Sequence, residues 1–326
     1  MDEMGPGEKN MSRYSDEEYE DEFWDDPDEW DDREYDDLCD DGEEDRFVSV
    51  DRGRDRNSRR GRKSRRGSGI ILRLMIVVFA AVFAVAAYQA VTLYLAYQTA
   101  IDEYDVLAGF IEAIPQEQEE TVREDESSDG IWYPLLSIDY ASLKEINGEF
   151  VGVIHIPVLD LTYPVAQTTD NEKYLTTTFE GTTNSSGCIF LDKYASSDFS
   201  DSNTFIFGHN MKNQTMFGSL KLFLQDEELC DQDPYVYIYQ EDQVLVYRIF
   251  AYYTIPVDDD VYADFSGEDG YDAYVRDALA HSNYALDEDV IDWTKRPNLL
   301  TLSTCYSTGH THNFVVQSVL VGIAEQ

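Results

Sequence analysis

A cysteine that closes an apolar, β-prone run is a candidate nucleophile, and residues 301–316, TLSTCYSTGHTHNFVV, hold one in Cys305, with His310 and His312 close behind it. A thiol attacks a carbonyl carbon only as the thiolate, so it needs a base or a positive neighbour, together with donors for the oxyanion that forms. The remaining histidines are His155, His209 and His281. Of these, His209 ends a second apolar run, TFIFGHNM at 204–211, in the same fashion as Cys305 ends NLLTLST at 298–304. Two strands ending in Cys and His are a candidate nucleophile and base. Read alone, a strand-end cysteine is more often an inert buried residue.

The elements that must position this pair are short β-branched and aromatic runs bounded by Gly, Asn, Asp and Pro. They lie at 150–156, 187–191, 204–208, 235–239, 243–255, 298–304 and 313–323. The spacing predicts an all-β domain, with a barrel as the expected closure. Two helical segments interrupt it, at 216–224 and 271–282, the second with Tyr274, Ala278 and Ala280 on one face. No repeat, P-loop or dinucleotide fingerprint is present. The histidines and cysteines lack the pair spacing of a zinc clip, so neither a metal nor another cofactor is expected.

A formal charge of −42 over 326 residues hides several regimes. Residues 1–51 crowd Asp and Glu around a few aromatics and lack the apolar content to offset ordering entropy, which predicts a disordered acidic tail. Residues 52–68 reverse the sign with Arg52, Arg54, Arg56, Arg59, Arg60, Arg62, Lys63, Arg65 and Arg66. Such a run fits a nucleic-acid patch or a membrane topology signal. It directly precedes an apolar segment, which favours the second. That segment, within 69–98, is long enough at about 1.5 Å per residue to cross a hydrocarbon layer of about 30 Å. Tyr88, Tyr94 and Tyr97 gather at its far end, so a single pass with the N-terminus in the cytoplasm is expected. A cleaved signal peptide is the rival reading, set aside because the preceding region is too long and the apolar run continues past Ala86.

Beyond the membrane, the helical pattern is expected to continue to Ile114 and stop at Pro115, the first part of a charged stalk over 99–130. The folded external domain is then 131–326. Its acidic balance argues against nucleic acid and permits a cationic partner such as an amine, although a well-hydrated surface explains it as simply. Three cysteines fall outside, Cys188, Cys230 and Cys305, with Cys39 in the tail. An odd count leaves at least one thiol unpaired. Cys188 and Cys230 could bridge.

TLSTC (301–305) with FIFGHNM (205–211), behind one N-terminal anchor, resembles a sortase, a membrane-bound cysteine transpeptidase of Gram-positive bacteria. INGEFVGVIHIP (146–157), YPVAQTTDNEKYL (163–175), GCIFLD (187–192), MFGSLKLF (216–223), DPYVYIY (233–239) and the helical insertion between Tyr262 and Trp293 resemble class B members. The resemblance implies an eight-stranded β-barrel and a thiol peptidase chemistry. Cys305 attacks the Thr carbonyl of a C-terminal sorting signal on an exported protein and forms a thioester. His209 protonates the departing amine and later deprotonates an incoming one, from a peptidoglycan precursor or a pilin lysine. Positions matching the family's groove are Asn171, Leu175 and Ser303; their plainer readings are a turn amide, a core leucine and a strand hydroxyl.

One position departs from that pattern. Eight residues after the cysteine the family places an arginine that stabilises the oxyanion, and here Asn313 stands there. Asparagine donates a neutral hydrogen bond, and charged ones are about twice as strong. In an extended 311–316, Thr311, Asn313 and Val315 share one face, so His312 points away, and His310 lies in the connecting loop. The external arginines Arg123, Arg248, Arg276 and Arg296 have no sequence argument for reaching the site. Two readings follow: an active enzyme with a modified site, or a membrane-tethered peptide-binding protein that has lost turnover.

Overall fold

The β-branched and aromatic runs become eight strands that close on themselves. The computed structural model of the protein describes residues 66–114, 132–226, 228–257, 259–262, 265, 267–305 and 311–326. The acidic tail, most of the basic segment, residues 115–131 and His310 lie outside the described residues. Helix α1 (Arg66–Ala108) leads, followed by the short pair β1 (Ile111–Ala113) and β2 (Leu136–Ile138). The barrel strands are β3 (Phe150–Ile156), β4 (Leu161–Gln167), β5 (Ile189–Leu191), β6 (Asn203–Phe207), β7 (Tyr235–Tyr239), β8 (Gln243–Pro256), β9 (Leu299–Cys305) and β10 (His312–Glu325). Their order around the barrel is β10-β8-β7-β3-β4-β5-β6-β9.

Period-2 alternation explains why these runs are strands. In β9, Leu300 and Leu302 enter the barrel interior beside Ile206, Phe314 and Val316, while Thr301 and Ser303 take the other face. Fully burying each leucine stabilises the fold by about 1.5–3 kcal/mol. Strand β8 changes parity along its length. Leu245, Tyr247 and Ile249 belong to the interior cluster, and then Tyr252 does. The cause is a bulge: Gln317 pairs with Ala251 but Ser318 with Ile249, leaving Phe250 as the extra residue. Phe250, Ala251, Tyr253 and Ile255 therefore face outward into a second cluster with Val315, Val319 and the helix Gly267–His281.

Most pairs are antiparallel, but β4–β5 and β6–β9 are parallel. Parallel neighbours need long crossovers, and their C-terminal ends fall on the same rim. Both properties matter for the site.

Of the barrel strands, β4 alone lies outside the runs above; its LTYPVAQ contains Pro164, and proline demotes a run. Here the missing N–H costs nothing on the β5 side, since that ladder starts only at Val165. The helix expected to reach Ile114 ends at Ala108. Gly109 and Phe110 close tight turns onto Val106 and Leu107 (3.1 and 3.0 Å), and Ile111 turns into a strand because β2 supplies a partner. From Tyr94 onward α1 belongs to the same compact unit as the barrel, with Ala100, Glu103 and Leu107 buried. From Leu72 to Val91 its apolar side chains are exposed, and the helix is long and apolar enough to cross a membrane, with a mean hydropathy of 2.4 in its most apolar window.

Cys188 and Cys230 are both free and buried, in different core clusters, so they form no bridge. Burial pushes the Cys230 thiol up to about 12 and the Cys188 thiol higher still, which makes both poor nucleophiles.

On β3, His155 is held by Thr162 Oγ1 at 2.7 Å and lies between the rings of Tyr237 and Tyr239. Burial pushes its imidazole down to about 4. Protonation then favours the unfolded chain, whose histidine titrates near 6.5, so stability present above that pH is lost as the pH falls toward 4. The expected result is that His155→Gln loses about 2 kcal/mol less than the parent between pH 7 and 4.5, measured by urea unfolding at each pH. Equal losses would show that the ring is already charged in the fold.

Candidate active site

The parallel pair β6–β9 builds the site. Register runs from Asn203 opposite Leu299 to Phe207 opposite Ser303, and the Gly208 N–H then donates to the Ser303 carbonyl at 3.2 Å. His209 and Cys305 each lie two residues beyond the Phe207–Ser303 pair, so the two backbones carry them to the same rim. Glycine is required between strand and histidine because any Cβ at 208 would collide with Ile189 Cδ1 and the Phe217 ring. On the other side of β9, antiparallel β10 sets Asn313 opposite Cys305. The backbone thus brings together Cys305, His209 and Asn313 from three strands.

His209 is oriented by the crossover between β4 and β5. Its Nε2–H donates to the Leu175 carbonyl at 2.6 Å, so the neutral ring carries its proton on Nε2 and keeps Nδ1 as the acceptor. Leu175 ends the turn Lys173–Leu175, which Asp170 caps by accepting the Glu172 and Lys173 N–H groups at 2.9 and 2.8 Å. Those bonds hold the Asp170 carboxyl below the usual range. Contrary to the core-leucine reading, the Leu175 side chain is 42% exposed.

The Asn171 amide is engaged at both ends, Nδ2 donating to Asp192 Oδ1 and Oδ1 accepting the Lys193 N–H, each at 2.9 Å. It staples the loop after β4 to the end of β5. Its turn-amide role is plain in the geometry.

Ser303 and Asn313 meet through a residue that pattern reading passed over. Asn313 Nδ2 donates to the Tyr262 hydroxyl at 2.8 Å, and that hydroxyl shares a 2.6 Å hydrogen bond with Ser303 Oγ. Because an amide nitrogen only donates, the tyrosine oxygen accepts from it, and its own proton is available to Ser303. Tyr262 is buried, its ring against Phe205 and Phe207. The turn that carries it, Asp260–Tyr262, is fixed from above by Tyr274 of the helix Gly267–His281, whose hydroxyl donates to the Val261 carbonyl (3.1 Å) and accepts from Asn203 and Gln317 (2.9 and 2.6 Å). In the sequence Tyr262 is only the first residue of the insertion. An aromatic directly before a helix in a chain of 23 tyrosines carries no signal of its own.

Among the described residues no arginine takes the place that Asn313 vacates. Arg296 makes a two-pronged pair with Asp272 (2.9 and 2.8 Å) and reaches Glu268, Arg248 lies over Tyr235, and Arg276 returns to the Asp272 carbonyl. His312 is exposed and bonded to Thr311, and Phe314 and Val316 are interior while Val315 faces the outer cluster, so the alternation expected for 311–316 is seen from His312, where β10 begins. Among the described residues no cluster of three or more His, Cys, Asp or Glu is arranged to hold a metal ion.

Comparison with known proteins agrees with this geometry. The family model described as Sortase domain matches residues 154–321. Sortase B of Listeria monocytogenes is 28% identical over 166 residues, covering 50% of this chain and 65% of that protein. Sortase B of Staphylococcus aureus is 29% identical over 169 residues, covering 51% and 67%. The crystal structure of Clostridium perfringens sortase B superposes with a TM-score of 0.51 at 28% identity, over 56% of this chain and 99% of that one. With a closed eight-stranded barrel, and a cysteine and a histidine leaving adjacent parallel strands at one rim, the chain belongs to the sortase family and to its class B.

Proposed function

We propose that the chain is a cysteine transpeptidase that cleaves the C-terminal sorting signal of exported proteins after Thr and transfers them to an amine. The observation that carries the reading is the parallel β6–β9 pair, which sends His209 and Cys305 off one rim. Cys305 passes its thiol proton to Nδ1 of His209, the resulting thiolate adds to the Thr carbonyl carbon, and the carbonyl electrons move onto oxygen. Collapse expels the amine of the next residue, which takes its proton from the His209 imidazolium, leaving a thioester and a neutral ring. The incoming amine, from a peptidoglycan precursor or a pilin lysine, attacks the thioester while His209 takes its proton back. Asn313 and backbone N–H groups serve the oxyanion, with Tyr262 and Ser303 holding Asn313 in place. The exposed Leu175 side chain lines the groove for the signal, with Asn171 behind it as the loop's staple. A single pass by α1, with the barrel outside the cell, puts the site where exported substrates arrive.

Asn313 favours a second reading, a membrane-tethered protein that binds sorting signals without turnover. Hydroxylamine separates the two, because it captures a thioester as the hydroxamate. Incubation with a series of Pro- and Thr-containing pentapeptides is expected to yield hydroxamate that a Cys305→Ala variant does not form. Peptide binding with no hydroxamate from any peptide would leave the binding protein as the function.

A further inference from the structure

The last turns of α1 hold the loop that orients His209. We infer that Tyr104 and Glu103 are positioning residues for His209, so that the helix carrying the membrane-spanning stretch also sets the geometry of the proton-transfer group. This rests on the reading of His209 given above.

The loop between Tyr174 and Cys188 closes on itself, with the Cys188 N–H donating to the Tyr174 carbonyl at 2.9 Å. Both of its ends touch His209. At one end the Leu175 carbonyl accepts the Nε2–H. At the other stands Gly187, at φ +58, so close that a methyl there would come within 2.9 Å of His209 Cδ2 and would overlap the Tyr174 carbonyl. No ordinary side chain fits at 187, so the glycine backbone itself forms the wall against the ring.

Helix α1 grips this loop at two places. Tyr104 donates its hydroxyl proton to the Gly187 carbonyl at 2.9 Å, and its ring stands edge-on to Tyr163 of β4 at 5.3 Å. The buried carboxylate of Glu103 accepts from Thr178 Oγ1 at 2.8 Å and from the Glu180 N–H at 2.9 Å. A carboxylate is costly to bury unless such donors satisfy it, and these two come from the loop alone. Tyr97 and Leu107 complete the face that packs on the barrel, and α1 reaches Gly187 across 83 residues of sequence.

Removing the Tyr104 hydroxyl frees the Gly187 carbonyl, and the loop end relaxes away from the ring. The Leu175 carbonyl moves with it, because the two ends are tied at Tyr174–Cys188. His209 then loses the acceptor that fixes its tautomer, and because Leu175 also lines the proposed groove, a smaller effect on peptide binding accompanies the loss.

The test uses the full chain in detergent, labelled with 15N-histidine, the His209 resonances being assigned by their loss in His209→Gln. In the parent protein His209 is expected to show one protonated and one unprotonated ring nitrogen. Tyr104→Phe and Glu103→Gln are each expected to average the two nitrogens and to lower kcat for hydroxamate formation about 10-fold, with KM changing by less than about 3-fold. Gly187→Ala should give the same signature without touching α1, and Tyr97→Phe should leave both readouts as in the parent. An unchanged His209 spectrum in both helix variants would overturn the inference. So would a loss of rate confined to KM. If the parent yields no hydroxamate, the transpeptidase reading fails, yet the nitrogen spectra still decide whether α1 positions the ring.

Discussion

Cys305→Ala is expected to lower acyl transfer by at least about 10⁴-fold, close to 5 kcal/mol of transition-state stabilisation, with little change in thermal stability. The reason for the first part is that no other thiol among the described residues can replace it. Cys188 and Cys230 are buried in separate clusters with their thiols pushed up, so neither offers a thiolate to a peptide in the groove. The second part follows from where β9 keeps its buried area. Leu300 and Leu302 carry the interior packing, and Cys305 is the final residue of the strand. Hydroxamate release at saturating peptide, with a melting curve for each protein, checks both. Residual transfer within about 100-fold of the parent would mean that the thioester forms elsewhere or not at all.

The second large effect is expected at Asn313. Asn313→Asp keeps the shape of the side chain but exchanges the Nδ2 donor for a carboxylate oxygen. Tyr262 must then give its proton to the carboxylate, which removes it from Ser303, and a negative charge sits opposite Cys305 in the register. Both changes oppose the thiolate and the oxyanion. The expected loss in the acylation rate is about 10²- to 10³-fold, the range seen when one oxyanion donor is removed. Asn313→Ala, which also removes the donor, should cost about 10²-fold and Tyr262→Phe about 10-fold, and their combination no more than Asn313→Ala alone, since the residues act as one unit. Single-turnover acylation of the four variants checks this. Fully multiplicative losses would show that Tyr262 acts independently of Asn313, and an aspartate variant within threefold of the parent would place Asn313 away from the developing charge.

These expectations divide by origin. The strand runs, the helix Gly267–His281 and the position of Cys305 and His209 at the ends of two such runs were legible because alternation and strand ends are local properties. β4 was not, since Pro164 hides it until the neighbouring ladder is seen to begin one residue later. The end of α1 was not, since Ile111 becomes a strand only when Leu136–Ile138 lies beside it. At Leu175 and Asn171 the structure adds what local pattern does not carry: the Leu175 carbonyl accepts from His209, and the Asn171 amide joins Asp192 and Lys193.

By itself the sequence determined which residues could form strands, that a thiol and an imidazole would each close one, that a long apolar helix precedes them, and that asparagine stands where a charge was expected. Only the tertiary structure decided that Tyr262 links Asn313 to Ser303 and that Tyr104 supports the loop under His209. Those contacts span 41, 51 and 83 residues. The alternation that defines a strand is written within a few residues and costs little to read. Which polar groups share a rim depends instead on barrel closure, on the bulge in β8 and on the parallel crossovers, all of which are settled by packing of the whole chain.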